Sequence, residues 1–220
     1  MELNTRLDRD RFTWMSHELT SADNASMLVE VTAPPLSRTL SCRLTVRVGT
    51  GIQSVCVLNE ATVRPYGHGV FVELGDLAPT QTRSLVFQFV PKRAPKPGRR
   101  KLATLTLDYV LADDLTERSL SRAVWAHVAG PHDRPGKVDR EVIAEVVLQG
   151  IQRHQRHATD ALIVGDIDAA CRTYERALRG IRRLWSEIPL DRRPAIEAHT
   201  EQIEDALNQL SCGALRAVGG

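Results

Sequence analysis

The chain has 220 residues, a formal net charge of +2 and 25% charged residues. This length allows one large domain or two small ones. The small net charge excludes a protein whose whole surface attracts nucleic acid, so a basic binding site must be local. The four cysteines form no CxxC pair and no zinc-binding spacing, and we expect reduced thiols.

Neither a transmembrane helix nor a signal peptide is indicated by the sequence. No apolar run approaches the length of about 20 residues that a membrane-spanning helix needs. The first residues, MELNTRLDRDRF, alternate charges and lack the apolar centre of a signal peptide. We therefore expect a cytoplasmic protein with no membrane contact.

Residues 1–35 are interpreted as a lead segment ahead of the first domain. Within it, TSADNASMLVEVTAPP is compatible with a strand or with a capped helix that ends at Pro34 and Pro35. We favour a short helix that begins at Ala22.

Residues 36–130 show the period of two that is typical of half-buried strands. In TLSCRLTVRV, Cys42, Leu44 and Val46 share one face with further apolar residues, and arginines occupy the other. The segments GIQSVCVL, KLATLTLDYVL and SLSRAVWAHV are also predicted strands, and short turn-like segments separate them. Between these predicted strands, no segment forms a helix long enough to connect two parallel strands. The pattern predicts an antiparallel β-sandwich of the immunoglobulin-like class.

Residues 68–89, HGVFVELGDLAPTQTRSLVFQF, are interpreted as a β-hairpin. Gly75 and Asp76 are expected to end the first strand, and LAPTQT forms the turn. Leu85, Phe87 and Phe89 are predicted to face inward from the second strand.

A linker rich in proline and glycine, GPHDRPG at 130–136, precedes a change to helical periodicity. We predict an α-helical domain over 137–212, as an antiparallel helical hairpin or a three-helix segment, and a flexible tail over 213–220. Gly165 suits the end of the first helix and Asp166 the N-cap of the second. Pro194 suits the first turn of the third helix.

The strongest charge feature is the loop PKRAPKPGRRK at 91–101, which holds six cations and no acid. It is a candidate site for nucleic acid or for an acidic surface. Nucleic acid is the less favoured ligand because no aromatic residue interleaves the charges. The candidate residues are Lys92, Arg93, Lys96, Arg99, Arg100 and Lys101.

The second predicted helix carries candidates for a protein interface, because tryptophan and arginine are enriched at such interfaces. These residues are Tyr174, Arg182, Arg183 and Trp185. The alternative is that Trp185 belongs to the core of the helical domain and that surface arginines flank it.

No recognisable catalytic motif occurs in the sequence, and we assign no catalytic, cofactor-binding or metal-binding residue. His154 and His157 are three residues apart on a helix and His199 lies on another, but the surrounding QRHQRH indicates a solvated helical face. Asp113 and Asp114 are interpreted as turn formers. We expect a protein that is not an enzyme and needs no cofactor.

Several segments together resemble the region that follows the von Willebrand factor A (VWA) domain in bacterial proteins of that class. They are GIQSVCVLNE, HGVFVELGDLAPTQTRSLVFQF, ATLTLDYV and ALIVGDIDAACRTYERALRGI, and RFTWMSHELTSADNASMLVEV is similar to the end of the VWA domain itself. The resemblance implies a sandwich followed by a helical hairpin. The metal-binding DxSxS motif is absent, so the resemblance implies no site residues here.

Two further resemblances are shorter. VELGDLAPTQTRSLVFQF also resembles immunoglobulin-like bacterial adhesion modules, and GDIDAACRTYERAL is similar to the second helix of a tetratricopeptide repeat. A single such helix is not an array, because these repeats need about three units to bury a core.

The function favoured by these patterns is protein–protein interaction or assembly within a bacterial VWA-type system. The resemblance implies a VWA domain, an AAA+ ATPase or another subunit of a multi-protein complex as the partner, and it is compatible with a homo-oligomer. Nucleic-acid or acidic-surface binding through residues 91–101 is the alternative function. A hydrolase with an unrecognised site is the third.

Overall fold

The computed structural model describes residues 1–12, 24–92, 96–130, 132–134 and 136–218, with side chains up to residue 211. The chain divides into two compact units, Met1–Val142 and Ile143–Gly220. We call the first the β unit and the second the helical unit. The described part of the chain thus has two β-sheets followed by three α-helices.

The β unit contains ten strands in the described residues, and they form two sheets. The strands are β1 (Glu2–Leu7), β2 (Arg11–Phe12), β3 (Ala25–Thr32), β4 (Thr39–Val48), β5 (Ile52–Val57), β6 (Thr62–Pro65), β7 (Gly69–Leu77), β8 (Thr82–Pro91), β9 (Gly98–Leu111) and β10 (Glu117–Val128). One sheet has the order β1-β3-β8-β5 and the other the order β2-β10-β9-β4-β7-β6. Neighbours are antiparallel except β2 and β10, which are parallel.

Both sheets contribute to one hydrophobic cluster, as the period of two predicts. Phe87 and Phe89 enter it from the four-stranded sheet, and Leu44, Leu105 and Leu107 enter it from the six-stranded sheet. All five are fully buried, and a buried side chain of this size stabilises the fold by about 1.5–3 kcal/mol. The predicted inward faces of β4, β8, β9 and β10 are therefore confirmed.

The predicted hairpin over 68–89 is wrong, because β7 and β8 belong to different sheets. β7 pairs with β4 and β6, whereas β8 pairs with β3 and β5. The turn between them is present, with the Gln81 N–H donating to the Ala78 carbonyl at 3.0 Å. The alternation of apolar residues shows which side chains face the core but not which strands are paired. Leu77 and Phe87 are both buried in the core, and they enter it from different sheets.

Gly75 lies inside β7 rather than at its end. It is paired with Cys42, and the register shifts on both sides of that pair, as in a β-bulge. Gly75 has a φ of +70°, and Ser41, which precedes its partner Cys42, has a φ of +50°. The Asp76 carboxylate stabilises this irregularity by accepting a hydrogen bond from the Ser41 N–H at 3.1 Å.

The N-terminal residues are part of the β unit, which begins before residue 36. β3 occupies the place of the expected short helix, and β1 and β8 flank it. The five residues from Ala25 to Val29 are all buried. A strand that is covered on both faces shows a continuous apolar run instead of an alternation, which is why the sequence was ambiguous here.

The β unit also extends beyond the predicted end at residue 130. The Lys137 N–H donates to Asp10 Oδ1 at 2.6 Å, and the Asp10 N–H donates to the Lys137 carbonyl at 3.1 Å. The Asp139 N–H donates to the Asp8 carbonyl at 2.9 Å. Arg6 makes two bonds to the Asp139 carboxylate, at 2.7 and 2.9 Å.

The described helices are α1 (Arg140–Ile163), α2 (Ile167–Leu184) and α3 (Arg193–Val218). The predicted break is confirmed, since Gly165 has a φ of +79° and Asp166 Oδ1 accepts from the Ala169 N–H at 2.9 Å. Pro194 lies in the first turn of α3, which continues past the predicted end at residue 212. None of these described helices is both long enough and apolar enough to cross a membrane.

Candidate functional site

The basic segment lies where β8 ends and β9 begins. Lys96, Arg99, Arg100 and Lys101 line one groove of about 420 Å³. Lys92 is exposed but does not line it, and Arg93 lies outside the described residues. Four of the six predicted cations are therefore brought together.

Local backbone contacts position these cations. The Arg100 guanidinium donates to the Lys96 carbonyl at 3.1 Å and to the Pro97 carbonyl at 3.4 Å, so this side chain fixes Lys96 and Pro97 next to the start of β9. Gly98 has a φ of +110°, a conformation that side-chain-bearing residues resist. Gly98 and the hydrogen-bonded Arg100 thus define the backbone conformation at the start of β9.

Trp125 of β10 also lines this groove. Its side chain is 44% exposed, and the guanidinium carbon of Arg99 lies 4.6 Å from its ring centroid. Trp125 is the register partner of Lys101, and the next pair joins Val124 to Ala103. Leu102 is therefore the extra residue of a bulge, and it is buried while Lys101 and Trp125 are exposed.

The sequence interpretation missed Trp125, although a signal was present. Leu120, Val124, Ala126 and Val128 form the inward stripe of β10, so the same alternation places Trp125 on the outer face. A tryptophan at an outward position of a strand is a candidate ligand contact. Only the pairing of β10 with β9 brings it beside the cations, and that pairing is not evident from residues 91–101.

A second groove, of about 890 Å³, also includes Trp125. It lies along β1 and β10, and its basic side chains are Arg9, Arg122, Lys137 and Arg140. Its acidic residues are Asp10, Asp139 and Glu141. The Asp139 carboxylate is already bonded by Arg6, and Asp10 Oδ1 accepts the Lys137 N–H.

The chemistry of the first groove is that of an anion-binding surface. Its described lining contains lysine, arginine and tryptophan side chains and no carboxylate, histidine or cysteine. Arginine forms paired, charge-assisted hydrogen bonds with carboxylates or phosphates. The Trp125 ring restricts the Arg99 side chain, so less conformational entropy is lost when Arg99 binds an anion.

The interface candidates of the helical unit separate in the structure. Trp185 and Arg182 line a groove of about 340 Å³ between α2 and α3, together with Glu197 and Glu201. Tyr174 is 8% exposed and belongs to the buried stripe of α2. Arg183, the fourth candidate, is exposed and does not line this groove.

The Trp185 ring has a cation close to it, as Trp125 does. The Arg193 guanidinium carbon lies 5.3 Å from the Trp185 centroid. Arg182 lies 3.7 Å from Glu204, an exposed pair that contributes little to stability. The groove is therefore apolar at its base and has charges of both signs around it.

The local surroundings shift the pKa values of two titratable residues, His154 and Asp114. Burial, followed by the charge of His157, lowers the pKa of His154. Asp114 Oδ1 accepts the Thr116 N–H at 3.0 Å and its carboxylate pairs with Arg118 at 2.8 Å, so the pKa of Asp114 is lowered and the residue acts in the turn between β9 and β10. In the described part of the chain, no three His, Cys, Asp or Glu side chains are placed to hold a metal ion.

No family model and no curated protein matches the chain. Among solved structures, it is similar to the full-length major pilin SpaD from Corynebacterium diphtheriae, with a TM-score of 0.41, 14% identity, and coverage of 57% of this chain and 36% of that one. A von Willebrand factor type A protein from Catenulispora acidiphila has a TM-score of 0.44 and 12% identity, with coverage of 79% and 39%. The ArnB paralog VWA2 from Sulfolobus acidocaldarius has a TM-score of 0.44 and 13% identity, with coverage of 79% and 42%. The chain spans 36 to 42% of the length of these three structures.

Proposed function

We propose that the chain is a non-enzymatic interaction module whose β unit binds an acidic surface of a partner protein at the groove beside Trp125. The observation that carries this proposal is the contact between Arg99 and the exposed Trp125 ring, 4.6 Å from guanidinium carbon to centroid. Arginine and tryptophan are the residue types that most often dominate the energy of protein interfaces.

The charge of the groove supports an acidic ligand. Lys96, Arg99, Arg100 and Lys101 lie along it, and its described lining has no acid to neutralise them. A hydrogen bond to a charged group contributes about 1.5–3 kcal/mol. Two or three such bonds, together with contact to the indole ring, are enough for a transient complex.

The aromatic content of the groove favours a protein ligand over a single-stranded nucleic acid. Such nucleic-acid sites stack successive bases on several aromatic side chains along a cationic track. Trp125 is the one aromatic residue among the described residues that line this groove, and Arg99 lies over its ring. A carboxylate-bearing protein surface needs only the cations and one apolar contact.

The architecture that we propose for this module is an immunoglobulin-like sandwich followed by an antiparallel helical hairpin and a third helix. The common hydrophobic cluster of the two sheets supports the sandwich, and the break at Gly165 and Asp166 supports the hairpin. The resemblance of the sequence segments to the region after a VWA domain is what supports an assembly role in a bacterial VWA-type system.

The groove at Trp185 supports a second contact surface on the helical unit. Trp185 is only partly buried, and Ile181, Arg182 and Thr200 lie beside it. A half-exposed tryptophan with an arginine above it is a frequent anchor in protein interfaces. The helical unit would then contact a partner independently of the basic groove.

Fluorescence anisotropy with a labelled decaglutamate peptide tests the proposed function. Arg99→Ala is expected to weaken binding about tenfold, as is Trp125→Ala, because each removes a central contact. The matched control is Arg83→Ala, which removes an exposed arginine from the other sheet. Tighter binding of single-stranded oligodeoxythymidylate than of decaglutamate would favour the nucleic-acid alternative, and equal losses for Arg83→Ala and Arg99→Ala would contradict a specific groove.

A further inference from the structure

One edge of β10 lacks a strand neighbour along most of its length. β10 pairs with β9 from Glu117 to Val128. On its other side, only His127 and Val128 pair with β2. Within the described residues, the segment 117–126 therefore has an open edge.

The backbone groups on this edge belong to alternate residues. The Ala129 N–H donates to the Phe12 carbonyl of β2, so Ala129 directs its amide to the open side. Groups on one edge of a strand recur at every second residue. The N–H and C=O groups of Ser121, Ala123 and Trp125 are therefore directed to the same side, where an added strand can bond them.

The edge opens into the second groove, of about 890 Å³, whose opposite wall is β1 with Thr5 and Leu7. Trp125 lines both grooves, so a segment along the edge of β10 ends beside the basic groove. The volume lies near the upper end of the range of small-molecule pockets, about 300–1,000 Å³, so it also leaves room for an extended chain.

Arg122 gives this edge its charge preference. Its guanidinium donates to the Leu3 carbonyl at 2.8 Å, so it spans from β10 to β1 and is bonded to a neutral acceptor rather than to a carboxylate. An inward-directed charge on an edge strand opposes unselective pairing, and pairing with a second copy of β10 would bring Arg122 towards its own equivalent. A strand that presents a carboxylate opposite Arg122 compensates the charge, since opposite charges across a strand pair attract.

We propose that an extended acidic segment of the partner protein adds to the open edge of β10 as an additional strand. This inference rests on the proposed function and specifies its ligand. The paired residues of the segment bond the backbone of Ser121 and Ala123 and present carboxylates to Arg122 on the inward face. The residues that follow them lie beside Trp125 and supply separate carboxylates to Arg99 and Lys101 on the outward face. Backbone pairing supplies part of the affinity, and the cations select acidic sequences.

The test uses fluorescein-labelled peptides of about ten residues with alternating threonine and glutamate, a length that matches a long strand. Two matched derivatives carry backbone N-methyl groups, one on every odd amide and the other on every even amide. An added strand directs only one of these two sets towards β10. One derivative is therefore expected to bind about tenfold more weakly than the parent peptide, and the other to bind comparably.

Protein variants provide a second measurement. Arg122→Glu is expected to reverse the preference, so that a peptide of alternating threonine and lysine binds better than the glutamate peptide. Ala123→Pro removes one edge amide at a place where proline is tolerated, and Ala123→Val is its control. If Ala123→Pro does not fold, the N-methylated peptides and the Arg122→Glu variant still test whether the peptide adds to β10 as a strand.

Equal affinities of the two N-methylated derivatives, whether both retained or both lost, would overturn strand addition. If the two derivatives bind equally but Arg99→Ala still weakens the binding of decaglutamate, the proposed acidic-surface function stands. Only the strand inference then fails. If neither decaglutamate nor the alternating peptide binds, the proposed function itself fails.

Discussion

Arg99 and Trp125 come from different strands, β9 and β10, and lie 4.6 Å apart from guanidinium carbon to ring centroid on the outer surface of the six-stranded sheet. An exposed contact of this kind contributes about 0.5–1 kcal/mol to stability. The contact is therefore only a small contribution to the stability of the fold, and we propose that its main role is in binding.

The first prediction concerns this contact. Arg99→Ala is expected to lower the free energy of unfolding by about 0.5–1 kcal/mol, because an exposed cation–π contact is lost. Urea denaturation measures the change, with Lys101→Ala as the control that leaves the Arg99–Trp125 contact intact. A loss above about 2 kcal/mol would show that Arg99 is primarily a structural residue.

The second prediction compares two glycines of β7. Gly75→Ala is expected to cost about 1–2 kcal/mol because φ is +70°, while an added Cβ would meet no atom within 4 Å. Gly69→Ala is expected to cost more, because a Cβ there would collide with the Val46 carbonyl. Thermal unfolding measures the loss of stability in both variants. Gly75→Asn should lose less stability than Gly75→Ala, because asparagine tolerates a positive φ better than alanine does. The reverse order of the two alanine variants would contradict the bulge geometry.

The third prediction concerns the buried carboxyl of Asp8. Burial raises its pKa, and the neighbouring Arg9 charge and the Ser26 N–H only partly offset this. Between the unfolded pKa, near 3.8, and the raised folded pKa, the folded state holds more protons, so this group destabilises the protein as pH rises. The stability of Asp8→Asn relative to the natural protein should therefore increase as the pH rises above the unfolded pKa, near 3.8.

Urea unfolding at several pH values measures this difference for Asp8→Asn. Asp113→Asn, at an exposed position of the turn between β9 and β10, controls for the general loss of a negative charge. A difference between Asp8→Asn and the natural protein that does not change with pH would contradict the raised pKa.

The fourth prediction separates Tyr174 from Trp185 in the helical unit. Tyr174→Ala is expected to cost about 3–5 kcal/mol because the side chain is buried in the stripe of α2. Trp185→Ala should cost less, since its ring is only partly buried, and should reduce binding of any partner of this groove. Circular dichroism melting compares the two, and an equal loss of stability would assign Trp185 to the core instead.

Features that depend on local period and turn chemistry can be predicted from the amino-acid sequence alone. The inward positions of β4, β8, β9 and β10 follow from alternation alone, because a strand with one buried face must place apolar side chains at every second residue. The break between α1 and α2 at Gly165 and the cap at Asp166 likewise follow from what those two residue types allow. The four clustered cations of the basic segment were also recognisable as a local charge excess.

Tertiary structure decided which strands are neighbours. A period of two shows which face of a strand is buried but not to which sheet the strand belongs. The predicted pairing of β7 with β8 is wrong for this reason. The pairing of β9 with β10, and the bulge at Leu102, bring Trp125 to Arg99. The proposed binding surface is therefore a non-local property, because it depends on contacts between residues that are remote in the chain.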